Sequence, residues 1–485
     1  MLDRTLPPAV RLMSQGGDAR IAINPQTGIN RYLSAPMPAH GIAYASSTAN
    51  DLSPDAFAHV EWAAEPILRA GLDAGGYADM LEGMRCRLRT AYSLDNDTGI
   101  VFAPSGTDLE YVALAAHAGQ GGIRNILLAP DEVGSGCILS AAGRFFAEST
   151  ALRVATEAGA AVPGLGPVDL SHVAIRDEQG LPLPSEEVAR RIEREAAAAV
   201  ARGHVALVHV VHGSKTGLIL PDLAQIDALR SLWDARQLQF VVDACQARID
   251  RATLAAYLDR GIIVLLSGSK FMGGAPFSGF ALVPRAAMDQ AQPLPHGLAH
   301  VFRRAEWPRE WPGRAILPDS VNAGLALRIE SALFELERFV PLSRDAVGRM
   351  VQRFQKALDA MMGRNGITAV PGHTGTDMLI GTLATLDLRG VDNALDFDVA
   401  VALHRRMAAD GVRLGQPVRC LPSRNGTGWA GTLRIALSMP QIVTLERLSD
   451  PMLDQRLCHD MSVIERALQH ALKEARARNE EVMAG

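Results

Sequence analysis

The chain is 485 residues long, with 48% hydrophobic and 21% charged residues and a formal net charge of −5. That length exceeds one small core and predicts two or more domains. The acidic balance argues against a nucleic-acid partner, and no apolar run approaches the length of a membrane span.

The first twenty residues, MLDRTLPPAVRLMSQGGDAR, lack the apolar stretch of a secretory signal. The five cysteines, Cys86, Cys137, Cys245, Cys420 and Cys458, form no CxxC pair, so a reduced, cytoplasmic setting is expected. Residues 1–50 are irregular and rich in Pro, Gly, Ser and Asn. LSPDAFAHVEWAAEPILRAG then predicts a helix, with Ser53 as cap, Pro54 in the first turn and Gly71 at the end.

From Gly99 strands and helices alternate. GIVFAP, RNILLAP, HVALVHVVH, LQFVVDA, IIVLLSG and SGFALVP read as strands. TDLEYVALAAHAG, GCILSAAGRFFAES, EEVARRIEREAAAAVARG, LAQIDALRSLWDARQ and RATLAAYLDRG read as the helices between them. Short, unbroken apolar strands alternating with helices predict a mostly parallel sheet covered on both faces, with ligands beyond the strand C-termini. Near Asp319 the pattern changes to two long helices, then a smaller α/β region. There TDMLIGTLATLDL and GTLRIALSM are predicted strands, with DFDVAVALHRRMAADG a helix between them.

Four stretches place chemistry at strand ends. In FAPSGTDLEYVAL, Ser105, Gly106 and Thr107 join a strand to a helix, either as a phosphate-binding turn or as an ordinary capped turn. In FVVDACQARID, Asp243 closes an apolar strand. It is either a helix cap or the acid that holds a proton on a ring nitrogen. In LLSGSKFMGG, Lys270 stands at the mouth of another strand. Either it reaches water, or its amine is lowered by an apolar setting and can form a Schiff base. Arg434 lies inside the strand of GTLRIALSMPQ, in a structural ion pair or facing a carboxylate ligand.

In this order and at these intervals, SGTD, DACQ, SGSK and RIAL resemble the motifs of pyridoxal-phosphate (PLP) enzymes of fold type I. The pattern is similar to the class V aminotransferase and cysteine desulfurase branch over about residues 60–445. The resemblance implies an α/β fold: a mostly parallel seven-stranded sheet sandwiched by helices in a large domain (56–318), plus a smaller α/β C-terminal domain (319–485). Residues 1–55 would form an N-terminal segment contributing to the substrate pocket.

The resemblance further implies PLP as cofactor, linked to Lys270. Asp243 would pair with the pyridinium nitrogen and Gln246 with the ring hydroxyl. Ser105, Gly106, Thr107, Ser267 and Ser269 would hold the phosphate. His212 and Ser214 are candidates for the polar group near the ring oxygen. Arg434 would take the substrate α-carboxylate, with Ser47 and Thr48 lining the substrate pocket. The expected activity is on an α-amino acid through abstraction of the Cα proton, of aminotransferase type. The alternatives are a lyase or carbon–carbon bond-forming reaction, and a non-catalytic PLP-binding regulator. A homodimer is expected, with QPLPHGLAHVFRRAEWP reaching the neighbour, and no nucleic acid or membrane partner.

The departures are specific. Ser269 stands where the branch usually has a histidine, and APDEVGSGC offers no aromatic ring to stack on the cofactor. Glu132, Val133 and Gly134 occupy that segment, which suits a bulky substrate or a second reactant. Cys420 lies 14 residues before Arg434 and is read as unrelated to the desulfurase nucleophile. GSKTG lacks the glycine spacing of a Walker loop, and His296 and His300 lack partners in a metal-binding pattern.

Overall fold

The computed structural model describes residues 6–39, 41–118, 121–134, 137–372, 375, 377–391, 395–424 and 428–484. Gly119, Gly136 and Thr376, at the ends of predicted elements, lie outside the described residues.

The strands are β1 (Ile42–Tyr44), β2 (Gly99–Ala103), β3 (Ile123–Leu128), β4 (Val168–Val173), β5 (Val205–His212) and β6 (Ile219–Leu220). They continue with β7 (Leu238–Asp243), β8 (Ile263–Ser267), β9 (Gly279–Val283), β10 (Thr368–Ala369), β11 (Leu383–Asp387), β12 (Val412–Leu414) and β13 (Thr432–Ala436). The large sheet has the order β2-β9-β8-β7-β5-β3-β4, and two-residue β6 pairs with β5. Neighbours from β8 to β4 are parallel, and β9 runs antiparallel between β2 and β8. The expected seven-stranded, mostly parallel sheet is therefore present, with β6 as an addition.

β2, β5, β8 and β9 are buried along their whole length. Both faces are covered, so an unbroken apolar run is stable there, each Val, Leu or Ile contributing about 1.5–3 kcal/mol. β4 is half exposed at the sheet edge. Its sequence, VDLSHV, carries polar residues and escapes an apolar-run criterion.

The helix Pro54–Ala70 has the expected signals: Ser53 Oγ accepts from the Ala56 N–H at 3.0 Å, and Gly71 sits at φ 78°. Three elements differ from the sequence reading. The helix expected from Gly136 spans only Cys137–Ala141, because Gly143 at φ 68° turns the chain and Phe145 pairs with Ala160. The helix after β6 stops at Arg230. In TDMLIGTLATLDL only Leu383–Asp387 is strand, preceded by a 3₁₀ turn. Among the described residues the long helices Ala74–Tyr92, with Gly75 and Gly76 in its first turn behind an Asp73 cap, and Asp450–Ala484 were not read from the sequence, nor were the short ones at Pro8–Met13, Arg285–Gln290 and Met439–Glu446.

A separate antiparallel sheet, β10-β11-β13, carries Arg434 opposite Thr385. β1 pairs in parallel with β12, which joins the N-terminal segment to this C-terminal region. The segment is also anchored by buried Arg328, which donates to the carbonyls of Phe277, Met13, Gln15 and Gly16. The stretch 292–308, expected to reach a neighbour, is anchored in the core of its own chain and keeps Gln292, Pro293, His296 and His300 exposed. Leu298, Val301, Phe302 and Trp307 are buried there. No helix among the described residues is long and apolar enough to cross a membrane.

Candidate active site

The C-terminal ends of the parallel strands open on a cavity of about 480 Å³, the size of a small-ligand site at a strand switch point.

At one end the chain leaves β2 through Ser105, Gly106 and Thr107 and enters the nine-residue helix Leu109–His117. Gly279 on β9 makes this turn possible, since a Cβ there would lie 2.8 Å from the Ser105 carbonyl oxygen. The hydroxyls of Ser267 and Ser269 lie 2.9 Å apart on the same cavity. Arg20 comes from the N-terminal segment. Its Nη1 donates to Thr107 Oγ1 at 3.0 Å and its Nη2 to Ser105 Oγ at 3.2 Å. Asp18 pairs with Arg20 at 2.8 Å, and the rings of Phe146 and Phe277 lie 4.8 and 5.4 Å from the guanidinium carbon. Burial pulls the guanidinium down, but Asp18 outweighs it and holds Arg20 above its ordinary value. Arg20 had no sequence signal, because one arginine in an irregular segment forms no pattern. Asp108 accepts from Ser105 Oγ at 2.6 Å, and burial raises its carboxyl to about 7.

In the middle, Asp243 ends β7, and its Oδ1 accepts from the Cys245 N–H at 2.9 Å. Gln246 is held by two contacts: Nε2 donates to the Ser47 carbonyl at 3.2 Å, and Oε1 accepts from buried Arg248 at 3.1 Å. Lys270 follows β8, half-buried, on the cavity wall. Asn50 fixes its backbone: the Asn50 N–H donates to the Ser269 carbonyl at 3.1 Å, and Asn50 Nδ2 donates to that of Lys270. Glu110 also lines the cavity, with His209 Nδ1 3.2 Å from its Oε2. Burial raises Glu110 well above its ordinary range, with the Asp243 charge adding to the effect. Burial also lowers His209 to about 4, against the pull of Asp243.

At the far end, buried Arg434 donates to Gln416 O at 2.6 Å, Ser47 O at 3.0 Å and Thr48 Oγ1 at 2.8 Å. Burial lowers its guanidinium to about 10. Gly415 is required beside it, because a Cβ there would meet Ser47 Oγ at 2.1 Å.

The wall beyond β3 is formed by Pro130–Gly134, Cys137 and Ile138, with no aromatic among them. Buried Glu132 braces it: it pairs with Arg176 and accepts from Thr216 Oγ1, and from Ser214 Oγ at 2.8 Å. Ser214 therefore lines the cavity with its hydroxyl committed to Glu132.

His212 stands apart from the expected set. The last residue of β5, it does not line the cavity; Nδ1 lies 3.3 Å from the Tyr257 hydroxyl and Nε2 3.9 Å from Asp377. Alternation along the strand explains this, since His212 and Val211 point to opposite faces and it is Val211 that faces the cavity. Cys420 is buried outside the cavity, its thiol pushed up to about 12 by burial. Among the described residues no cluster of His, Cys, Asp and Glu is arranged to hold a metal ion.

The donor set fits a phosphorylated pyridine aldehyde. A cation, hydroxyls and a helix start gather at one end, and the Asp243 carboxylate and the Lys270 amine share the cavity with them. Gly106 leaves room for close approach, an added Cβ meeting only Cys245 Sγ, at 3.5 Å.

The sheet order, the separate small sheet and the cavity at the strand ends together define fold type I, as the sequence motifs implied. Among solved structures the chain is similar to a NifS-like protein from Rickettsia africae at 13% identity and a TM-score of 0.57, covering 90% of this chain and 100% of that one. It is similar to the cysteine desulfurase CsdA from Escherichia coli at 17% identity and TM-score 0.55, covering 89% and 95% of the two chains. It also matches a structure described as SPT with PLP, at 12% identity and TM-score 0.52, covering 88% of each chain. No protein-family model matches the chain, and no curated protein matches it in sequence.

Proposed function

We propose that the chain is a PLP-dependent enzyme acting on an α-amino acid. The observation that carries this is the convergence of Lys270, Asp243, the Ser105–Thr107 turn and Arg434 on one cavity. The similarity to a structure solved with PLP supports it.

When bound, PLP supplies an electron sink that weakens bonds at the substrate Cα. Asp243 holds the proton on the ring nitrogen, in a position set by the Cys245 N–H. Gln246 presents its amide to the ring hydroxyl. Ser105, Gly106, Thr107, Ser267 and Ser269, with Arg20 added, take the phosphate. Arg434 receives the substrate α-carboxylate, its orientation fixed by Ser47, Thr48 and Gln416. Lys270 carries the proton to and from Cα. Transfer of the amino group is the reaction we assign. Elimination, replacement or carbon–carbon bond formation is the second reading, favoured by the lack of an aromatic among the described residues of the wall beyond β3.

The same reading keeps the division into residues 1–55, 56–318 and 319–485, a homodimer as the working assembly, and a reduced cytoplasmic setting. Borohydride reduction of the loaded protein, followed by peptide mapping, tests it: the label belongs on Lys270. A label elsewhere, or wild-type turnover by Lys270→Ala, overturns the assignment. Adding amino acids without a keto acid separates the two reactions. Transamination consumes one equivalent and stops, whereas elimination turns over.

A further inference from the structure

The turn between β5 and β6 places a second lysine in the cavity. Gly213 at φ 76° and Gly217 at φ 87° fold this turn back, and Lys215 lies between them on the cavity wall. Its N–H donates to the Glu132 carbonyl at 2.9 Å and its Nζ to the Asp131 carbonyl at 3.1 Å. That carbonyl satisfies one of three ammonium N–H groups. The buried carboxylate beside it, Glu132, is already taken by Arg176, Ser214 and Thr216. Arg419 also lines the cavity, at an exposed position with its guanidinium carbon 4.6 Å from the Phe397 ring centroid.

Among the described residues Lys215, Arg419 and Arg434 make no ion pair. The cavity also holds the carboxylates of Glu110, Asp131, Glu132 and Asp243, yet none of them pairs with these three cations, which leaves room for more negative charge than the single α-carboxylate that Arg434 takes. We propose that the substrate is an α-amino acid whose side chain carries a second anionic group, and that Lys215 receives that group. This rests on the PLP reading above. Burial, with Arg434 and Lys270 adding to it, lowers the Lys215 ammonium to about 8, an effect that an incoming anion reverses.

The test uses the cofactor-loaded enzyme and amine-free ligands, with calorimetry as the readout. Loading is checked first by absorbance. A chain that takes up no PLP overturns the underlying reading. Succinate and 3-phosphonopropionate are compared with butyrate, which has the second anion removed. At least one dianion is expected to bind at least tenfold more tightly than butyrate. Their order tells a carboxylate substrate from a phosphorylated one. Lys215→Gln is expected to narrow the ratio to under threefold and Lys215→Arg to retain it. A loaded enzyme that binds butyrate as tightly as both dianions, or a ratio untouched by Lys215→Gln, overturns the proposal.

Discussion

Arg20 donates to the Thr107 hydroxyl at 3.0 Å, tying the irregular N-terminal segment to the turn that ends β2. The contact places a charged fork, steadied by Asp18 and two aromatic rings, over a helix start. Removing it should weaken the hold on an anion specifically. Arg20→Gln is expected to raise the Kd for PLP at least tenfold, the loss of one charge-assisted hydrogen bond of about 1.5–3 kcal/mol. Binding of pyridoxal, which lacks the phosphate, is expected to change little. Absorbance titration with both compounds checks this, and equal weakening would reduce Arg20 to a structural role.

Arg434 presents its guanidinium in one orientation, set by three hydrogen bonds. A lysine has the charge but not the planar fork. Arg434→Lys is expected to lower kcat/KM for amino acids about 100-fold, with KM carrying most of the change. Steady-state kinetics decides, and an effect confined to kcat would point to another role.

Glu132 and Arg176 form a buried ion pair at the cavity wall. Arg176→Ala strands the carboxylate, and urea unfolding should show a loss of about 3–5 kcal/mol. Adding Glu132→Gln is expected to recover part of it, because the stranded charge is gone. A double variant no more stable than the single one would mean that Arg176 acts through its carbonyl contacts at Gly180 and Pro371.

Asp108 has its folded value raised by burial from 3.8 to about 7. Between these values the folded chain keeps a proton that the unfolded chain releases. Its contribution to stability is therefore fully present below about 3.8 and lost as pH rises through about 7. Asp108→Asn keeps an acceptor for Ser105 and is expected to flatten stability across this window. Urea midpoints at pH 4 to 8, roughly spanning the window, check the slope. An unchanged slope would place the titration elsewhere.

Much of the large sheet and its covering helices was legible before folding. Unbroken runs such as IIVLL need cover on both faces, and that requirement alone implies a parallel sheet with helices on each side. Asp243 and Lys270 stood out because a charge at the end of an apolar strand is costly without a purpose. β4 and the Gly-Gly start of Ala74–Tyr92 were silent, since an edge strand needs no apolar run and a capped helix tolerates glycine behind a good cap.

Local order along the chain, then, was enough to read the strands, their chemistry-bearing ends and the sequence of motifs, because each depends on near neighbours. Contacts between positions far apart in the chain followed from packing alone. β1 beside β12 brings Ser47 and Thr48 to Arg434, Arg328 clamps the first segment, and Arg20 then reaches Thr107. The turn of His212 away from the cavity and the approach of Lys215 to it were settled in the same way. Alternation along a strand puts neighbouring side chains on opposite faces, but which face meets the cavity is decided by how the sheet packs and by the next turn's backbone.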